Sequence, residues 1–171
     1  MSEERRLEAQ FTVERLMEEY GSSLLRMCAL YLKDAALAQD AVQETFLKAY
    51  RHVHHFRGEA SEKTWLISIA RNVCRDYLRT PWMKHQNRRT NIELLSETPS
   101  GFVFPDNTVI TEVMRLPVKY REVILLRYYQ GMKIRETASV LKLTEGRVRS
   151  RLKRANAILR DRLKEWYEDE D

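Results

Sequence analysis

The chain has 171 residues, a net charge of +5, 43% hydrophobic and 32% charged residues, and only five glycines. That supports one domain or two small ones, and a charge-rich, glycine-poor chain of this kind suits helices. Two cysteines without CxxC spacing exclude a disulfide scaffold, no run approaches the ~20 apolar residues of a membrane span, and the positive balance points to a polyanionic partner.

The opening MSEERRLEAQ lacks the apolar core of a signal peptide, so a soluble cytoplasmic protein is expected, with Cys28 and Cys74 as buried, reduced thiols. From about Ala9 to Leu32, Val13, Met17, Tyr20, Leu24, Cys28 and Tyr31 form a helical stripe. Gly21 and the Ser22–Ser23 pair predict a bend in it. Asp34 then predicts the N-cap of a second helix reaching about Val53. Its apolar side is Ala38, Val42, Phe46, Ala49 and Val53. Its other side carries Asp40, Gln43, Glu44, Leu47, Lys48 and Arg51, and on periodicity alone a solvated surface is favoured there over a partner-binding face. His52, His54 and His55 cluster without a cysteine or carboxylate at ligand spacing, so neither a metal nor any other cofactor is expected.

Residues 56–63 read as a loop holding Arg57 and Gly58, and Ser61 predicts the cap of a third helix from Glu62 to about Arg79. Trp65, Ile69, Val73 and Tyr77 are expected inward, with Ser68, Arg71, Asn72, Arg75 and Arg79 on the remaining faces. An arginine-studded helix with an asparagine, which can bond adenine's edge in two places, suits nucleic acid; solvated arginines with a structural asparagine suit the pattern equally. Trp65 could stack on an unpaired base, but its place on the apolar stripe favours packing. From Thr80 to roughly Asp106 the character changes, with three of the four prolines (Pro81, Pro99, Pro105) and Gly101. This predicts a flexible linker between two domains, with a short helix at Ile92–Leu95 and an apolar Phe102–Val103–Phe104 that docks on something.

A second helical domain is expected next, with a short helix over Thr108–Arg115. Pro117 starts another helix, which runs to Tyr129 with Tyr120, Val123, Ile124 and Tyr128 inward, and Gly131 closes it. Then Ile134, Ala138 and Leu141 share one face, Thr144 offers an N-cap, and Val148, Leu152, Ala155 and Leu159 share the face of a longer helix. This is the outline of a helix-turn-helix. Opposite the second apolar stripe lie Gly146, Ser150, Lys153 and Arg154, flanked by Arg147, Arg149 and Arg151. Such side chains pair with phosphates or read guanine. No stretch has the period of a strand.

The order of these features resembles the extracytoplasmic-function (ECF) group of bacterial sigma factors, the smallest of the sigma-70 type, from about Phe11 to Arg162. DAVQETFLKAYRHVHHF resembles the segment that binds core RNA polymerase. FRGEASEKTWLISIARNVCRDYLR resembles the segment that opens and reads the −10 promoter element. LPVKYREVILLRYYQGMKIRETASVLKLTEGRVRSRLKRA resembles the −35-binding domain. The resemblance implies an all-α fold of two small helical domains: a region 2-like bundle over 8–80, a linker over 81–107 and a region 4-like helix-turn-helix domain over 108–165. It implies polymerase contacts from Asp40, Gln43, Glu44 and Lys48. It assigns −10 DNA to Arg57, Gly58, Lys63, Arg71, Asn72 and Arg75, and −35 DNA to Arg147, Arg149, Ser150, Lys153 and Arg154. The loop Arg57–Lys63 corresponds to the one holding a flipped-out base of the non-template strand. The implied partners are bacterial core RNA polymerase, promoter DNA and an anti-sigma factor, with no catalytic chemistry and no membrane insertion. Two departures stand out: Ile67 where many members have an aromatic residue, and Lys142 where the turn usually has glycine. Two other readings are a stand-alone helix-turn-helix regulator, which leaves the first-domain motifs unexplained, and a metal-dependent nuclease built on Asp40 and Glu44, which lacks a third ligand.

Overall fold

The computed structural model describes residues 1–80 and 107–168, and among them every regular element is helical. The chain divides into two units, Met1–Arg89 and Thr90–Asp171. The expected linker with its Ile92–Leu95 helix and Phe102–Phe104 segment lies outside the described residues, except Asn107, which already opens a helix.

The first unit is a three-helix bundle. Helix α1 spans Glu3–Leu32, capped by the Ser2 hydroxyl, which accepts from the Arg5 N–H at 3.3 Å. It passes through Gly21 without a break, and Ser23 and Leu24 are buried in helical register. The buried stripe includes Ala9, Val13, Leu16, Leu24, Met27, Cys28 and Tyr31, with Leu16 taking the inward place expected of Met17, which is 49% exposed. Helix α2 spans Ala35–His52, and Asp34 Oδ1 caps it by accepting from the Leu37 N–H at 3.0 Å. A 3-10 turn, Val53–His55, follows.

Helix α3 spans Glu62–Arg79, with the Ser61 hydroxyl accepting from the Thr64 N–H at 3.1 Å. It packs against both α1 and α2. Its buried apolar residues are Leu66, Ile67, Ala70, Val73 and Cys74, so of the four side chains expected inward only Val73 is fully covered. A helix with two neighbours places its small residues at the close approach and its aromatics at the margins, where Trp65 lies on Phe56 with ring centroids 5.0 Å apart. Cys28 and Cys74 are free, buried and bonded thiol to thiol; that hydrogen bond, then burial, pushes the Cys74 thiol well up. A thiol so held stays protonated, as expected of a structural cysteine.

The second unit contains α4 (Asn107–Arg115), α5 (Val118–Ile124), α6 (Ile134–Leu141) and α7 (Glu145–Glu168). Helix α5 continues into a wide π turn, Leu125–Tyr129, where the Gln130 N–H reaches back five residues to the Leu125 carbonyl at 2.9 Å. A π turn inserts one residue into the helical register. Tyr129 is therefore buried and Tyr128 exposed, which corrects the expectation of Tyr128 inward. Gly131, at φ +67°, ends the segment as expected.

Buried Arg121 donates to the carbonyls of Met114 and Leu116, each at 3.0 Å, and so satisfies the backbone acceptors left at the end of α4. The turn between α6 and α7 runs through Lys142 at φ +54°, with the Leu143 N–H bonded to the Ala138 carbonyl at 3.0 Å. Thr144 Oγ1 then accepts from the Arg147 N–H at 3.2 Å, the cap expected for the longer helix. Left-handed geometry costs a residue with a Cβ about 1–2 kcal/mol, and glycine in its place loses about 0.5–1 kcal/mol of unfolded-chain entropy. Lys142→Gly is therefore expected to stabilise the chain by up to about 1 kcal/mol. Urea unfolding of the full chain checks this; a lower midpoint would show that the lysine is at ease in the turn.

Candidate protein and nucleic-acid interfaces

Three surfaces carry the residues singled out from sequence. On α2, Asp40 and Gln43 are exposed and Glu44 and Lys48 partly so. Lys48 Nζ stands 3.4 Å from Glu44 Oε1, and the Tyr77 hydroxyl donates to Glu44 Oε2 at 2.9 Å. The polar face of α2 is thus tied to α3 through one carboxylate. Beside it a groove of about 850 Å³ opens between α1 and α2, lined among others by Val13, Met17, Leu25, Val42, Phe46 and Leu47, with Gln43 on its wall. Leu47 is 57% exposed, an apolar group at the surface among polar ones. The sequence marked Leu47 as out of place but did not reveal the groove, because it had turned Met17 inward.

The second surface joins the loop before α3 to the outer face of α3. Arg57 and Gly58 are exposed, and Gly58 sits at φ +74°, where a side chain would be strained. Lys63 is partly exposed in the first turn of α3. Asn72, Arg75 and Arg79 are exposed along one face, with Ser68 partly so. Arg71 departs from this set: it is only 6% exposed, and its guanidinium donates to Asn72 Oδ1 at 3.4 Å. It supports Asn72 from within and does not share the solvent face on which the sequence placed it. Arg15 reaches across from α1 to pair with Glu62, in the first turn of α3, through Nη1 and Nη2. The hydrogen bond to Glu62 and the charge of Glu62 raise the Arg15 pKa.

The third surface is the outer face of α7. Gly146, Arg147, Arg149, Ser150, Lys153 and Arg154 are all exposed, as their spacing predicted. Arg149 lies 3.5 Å from Glu145 one turn earlier, an exposed pair that gives way easily to another anion. Arg151 is turned inward, 3.6 Å from the buried carboxylate of Glu122. Glu112, Arg121 and Glu122, all buried, were missed from sequence; the available signal was charge at positions where the apolar period calls for core. Among the described residues no helix is long and apolar enough to cross a membrane, and no cluster of three or more His, Cys, Asp or Glu could hold a metal.

Two helical units, one ending in a cationic helix-turn-helix, define a two-domain transcription factor of the sigma-70 type: residues 16–82 match Sigma-70 region 2 and residues 107–158 match Sigma-70 region 4. The chain is 31% identical over 168 residues to the ECF RNA polymerase sigma factor SigM of Bacillus subtilis, covering 91% of this chain and 95% of that one. It is 30% identical to SigX of the same organism, covering 87% and 82%, and 29% identical to the sigma-H factor of Pseudomonas aeruginosa, covering 84% and 82%. Among solved structures, CnrH in complex with the cytosolic domain of CnrY superposes with a TM-score of 0.71 at 26% identity, covering 94% of this chain and 95% of that one. The sigma factor RpoE of Bartonella quintana, solved with the anti-sigma factor NepR, shares the fold at a TM-score of 0.71 and 23% identity, covering 88% and 98%. The chain belongs to the ECF sigma factors, the exchangeable subunits that direct RNA polymerase to start transcription at particular promoters.

Burial, then the bond to Glu44, pushes the Tyr77 hydroxyl up to about 12 from its ordinary 10.0. A raised value means that the fold favours the neutral phenol, so its contribution is whole below about 10 and is lost as pH rises through about 12. Tyr77→Phe is expected to lower stability by about 1 kcal/mol at neutral pH. In urea titrations the gap between the two proteins should narrow in the alkaline range; a gap independent of pH there would detach Tyr77 from Glu44.

Proposed function

We propose that this ECF sigma factor engages core RNA polymerase through the polar face of α2, using Asp40, Gln43, Glu44 and Lys48. The loop and outer face of α3 take the −10 element, with Arg57, Gly58, Lys63, Asn72 and Arg75 toward the DNA and Arg71 supporting Asn72. Helix α7 lies in the major groove at −35, with Arg147, Arg149, Ser150, Lys153 and Arg154 outward. The single observation that carries the reading is the outer face of α7: an exposed run of cations and small residues, opposite the buried apolar Val148, Leu152 and Ala155.

Mechanistically the parts divide affinity from selection. Lysine and arginine contacts to phosphate release counterions and give binding that falls with salt, whereas each good pair to a base edge adds ~1–3 kcal/mol of discrimination. At −10 the strand must be opened, and a base leaving the stack costs a few kcal/mol, which contacts from the Arg57–Lys63 loop and Asn72 must offset. The protein carries out no catalytic chemistry; the polymerase does. It works in the cytoplasm, and between signals an anti-sigma factor holds it inactive. A protein of the same fold solved in complex with an anti-sigma factor supports that regulation.

The decisive experiment is run-off transcription with purified bacterial core polymerase, with and without the protein, on a pool of the host's promoter fragments. Transcripts that appear only when it is added are expected. Their absence, together with failure to co-elute with core polymerase, would leave a stand-alone DNA-binding regulator. Asn72→Ala is expected to lose promoter opening, followed by permanganate reactivity, while still binding polymerase; normal opening would remove Asn72 from the site. Arg149→Ala is expected to lose discrimination among −35 variants by about fivefold or more. An equal loss on all sequences would make Arg149 a phosphate contact.

A further inference from the structure

Helix α7 buries Val148, Leu152 and Ala155, and that stripe decides only which half of the helix faces inward. A modest rotation about the helix axis would keep all three covered while swinging every outward side chain past its target. Three longer side chains remove this freedom. With Arg151 set at zero and about 100° per residue, the stripe centres near ~70°, Arg162 lies near ~20° and Asn156 near ~140°. The tethers therefore flank the stripe on both sides.

On one flank Arg151 Nη1 stands 3.6 Å from Glu122 Oε1, and three turns later Arg162 Nη1 stands 3.5 Å from Glu112 Oε2. Both carboxylates are buried, their side chains 5% and 4% exposed. On the other flank Asn156 Nδ2 donates to the Tyr128 hydroxyl at 3.2 Å. Tyr128 is placed for this by the π turn Leu125–Tyr129, which sends Tyr129 into the core and Tyr128 to the rim.

We propose that Glu122, supported by Glu112 and Tyr128, is a positioning residue for promoter reading: through Arg151 it sets the rotation of α7, so that Arg149, Ser150 and Lys153 meet base edges in register. This rests on the reading of α7 as the −35 helix. Glu122 itself touches no DNA. A buried carboxylate tolerates its site only with its cation in place, so it penalises rotated settings that the apolar stripe would accept.

The test uses holoenzyme made from core polymerase and the full chain. Its binding is measured on a promoter recovered by run-off transcription and on the same fragment with the −35 element scrambled. In Glu122→Gln and Arg151→Gln the ratio of the two affinities is expected to fall by about fivefold or more, the loss of one base contact. The double variant should lose no more than either single one, because the two residues act through each other. Tyr128→Phe, at the exposed rim, should lower the ratio in the same direction. The salt dependence should stay unchanged in Glu122→Gln, because the phosphate contacts remain. A merely structural Glu122 would instead lower the melting temperature and weaken both fragments alike, and that result overturns the proposal. So do additive losses in the double variant, or an unchanged ratio in Arg151→Gln and Tyr128→Phe. If the unsubstituted holoenzyme does not distinguish the two fragments, the −35 reading itself fails and the clamp falls with it.

Discussion

The second unit depends on the burial of one apolar stripe of the strongly cationic helix α7. Arg147 and Arg151 stand one turn apart on α7, as do Arg149 and Lys153. Like charges at that spacing destabilise an isolated helix. Burying Val148 and Leu152 stabilises by about 1.5–3 kcal/mol each, which outweighs a few such repulsions. Glu145 in the first turn, the Thr144 cap and Glu122 beneath Arg151 offset more of the charge. The rest of the unit follows from the need to supply a floor. Helices α4, α5 and α6 all pack on α7, and Arg121 closes the end of α4 by donating to the carbonyls of Met114 and Leu116.

The first unit meets a different constraint. Its core mixes small residues, with Ala38, Ala41, Ala49 and Ala70 fully covered, and large ones such as Leu16, Leu24, Met27, Leu66 and Ile67. Other apolar groups lie at the margins. Trp65 ends on Phe56 and Met17 at the mouth of the α1–α2 groove beside exposed Leu47. A surface with mixed apolar and polar character beside Gln43 and Glu44 is what a reversible protein partner needs, since exposed apolar area drives association and the polar rim selects the partner. The Tyr77–Glu44 bond makes the same carboxylate part of the packing of α3. The polar face of α2 and the helix α3 are therefore joined through one carboxylate.

The features legible in sequence were those with local causes. Asp34, Ser61 and Thr144 cap the helices they were expected to cap, and Gly131 ends its segment with a positive φ, because each acts within three residues of itself. Lys142 takes the left-handed turn although it is not glycine, because the helix-turn-helix spacing leaves no other residue to do so. What was missed depends on neighbours. The π turn moves the register by one at Leu125–Tyr129, and no periodicity reveals an inserted residue whose flanks are all apolar. Arg71 was placed outward because arginines usually are. Glu112, Arg121 and Glu122 look like surface charge until their partners three to fifty residues away are known.

Arg71 also shows how a buried charge shapes an exposed polar group. An asparagine amide offers an acceptor at one end and two donors at the other, and in solvent it presents either. With the Arg71 guanidinium donating to Oδ1 at 3.4 Å, the acceptor end of Asn72 faces inward and the donor end is left for solvent. A side chain so held is matched to acceptors on a base edge or a strand backbone and poorly matched to donors. It also loses less rotational freedom on binding than a free one would. The position that looked in sequence like one more cation for DNA thus acts one step behind the surface. It orients the amide that the surface presents.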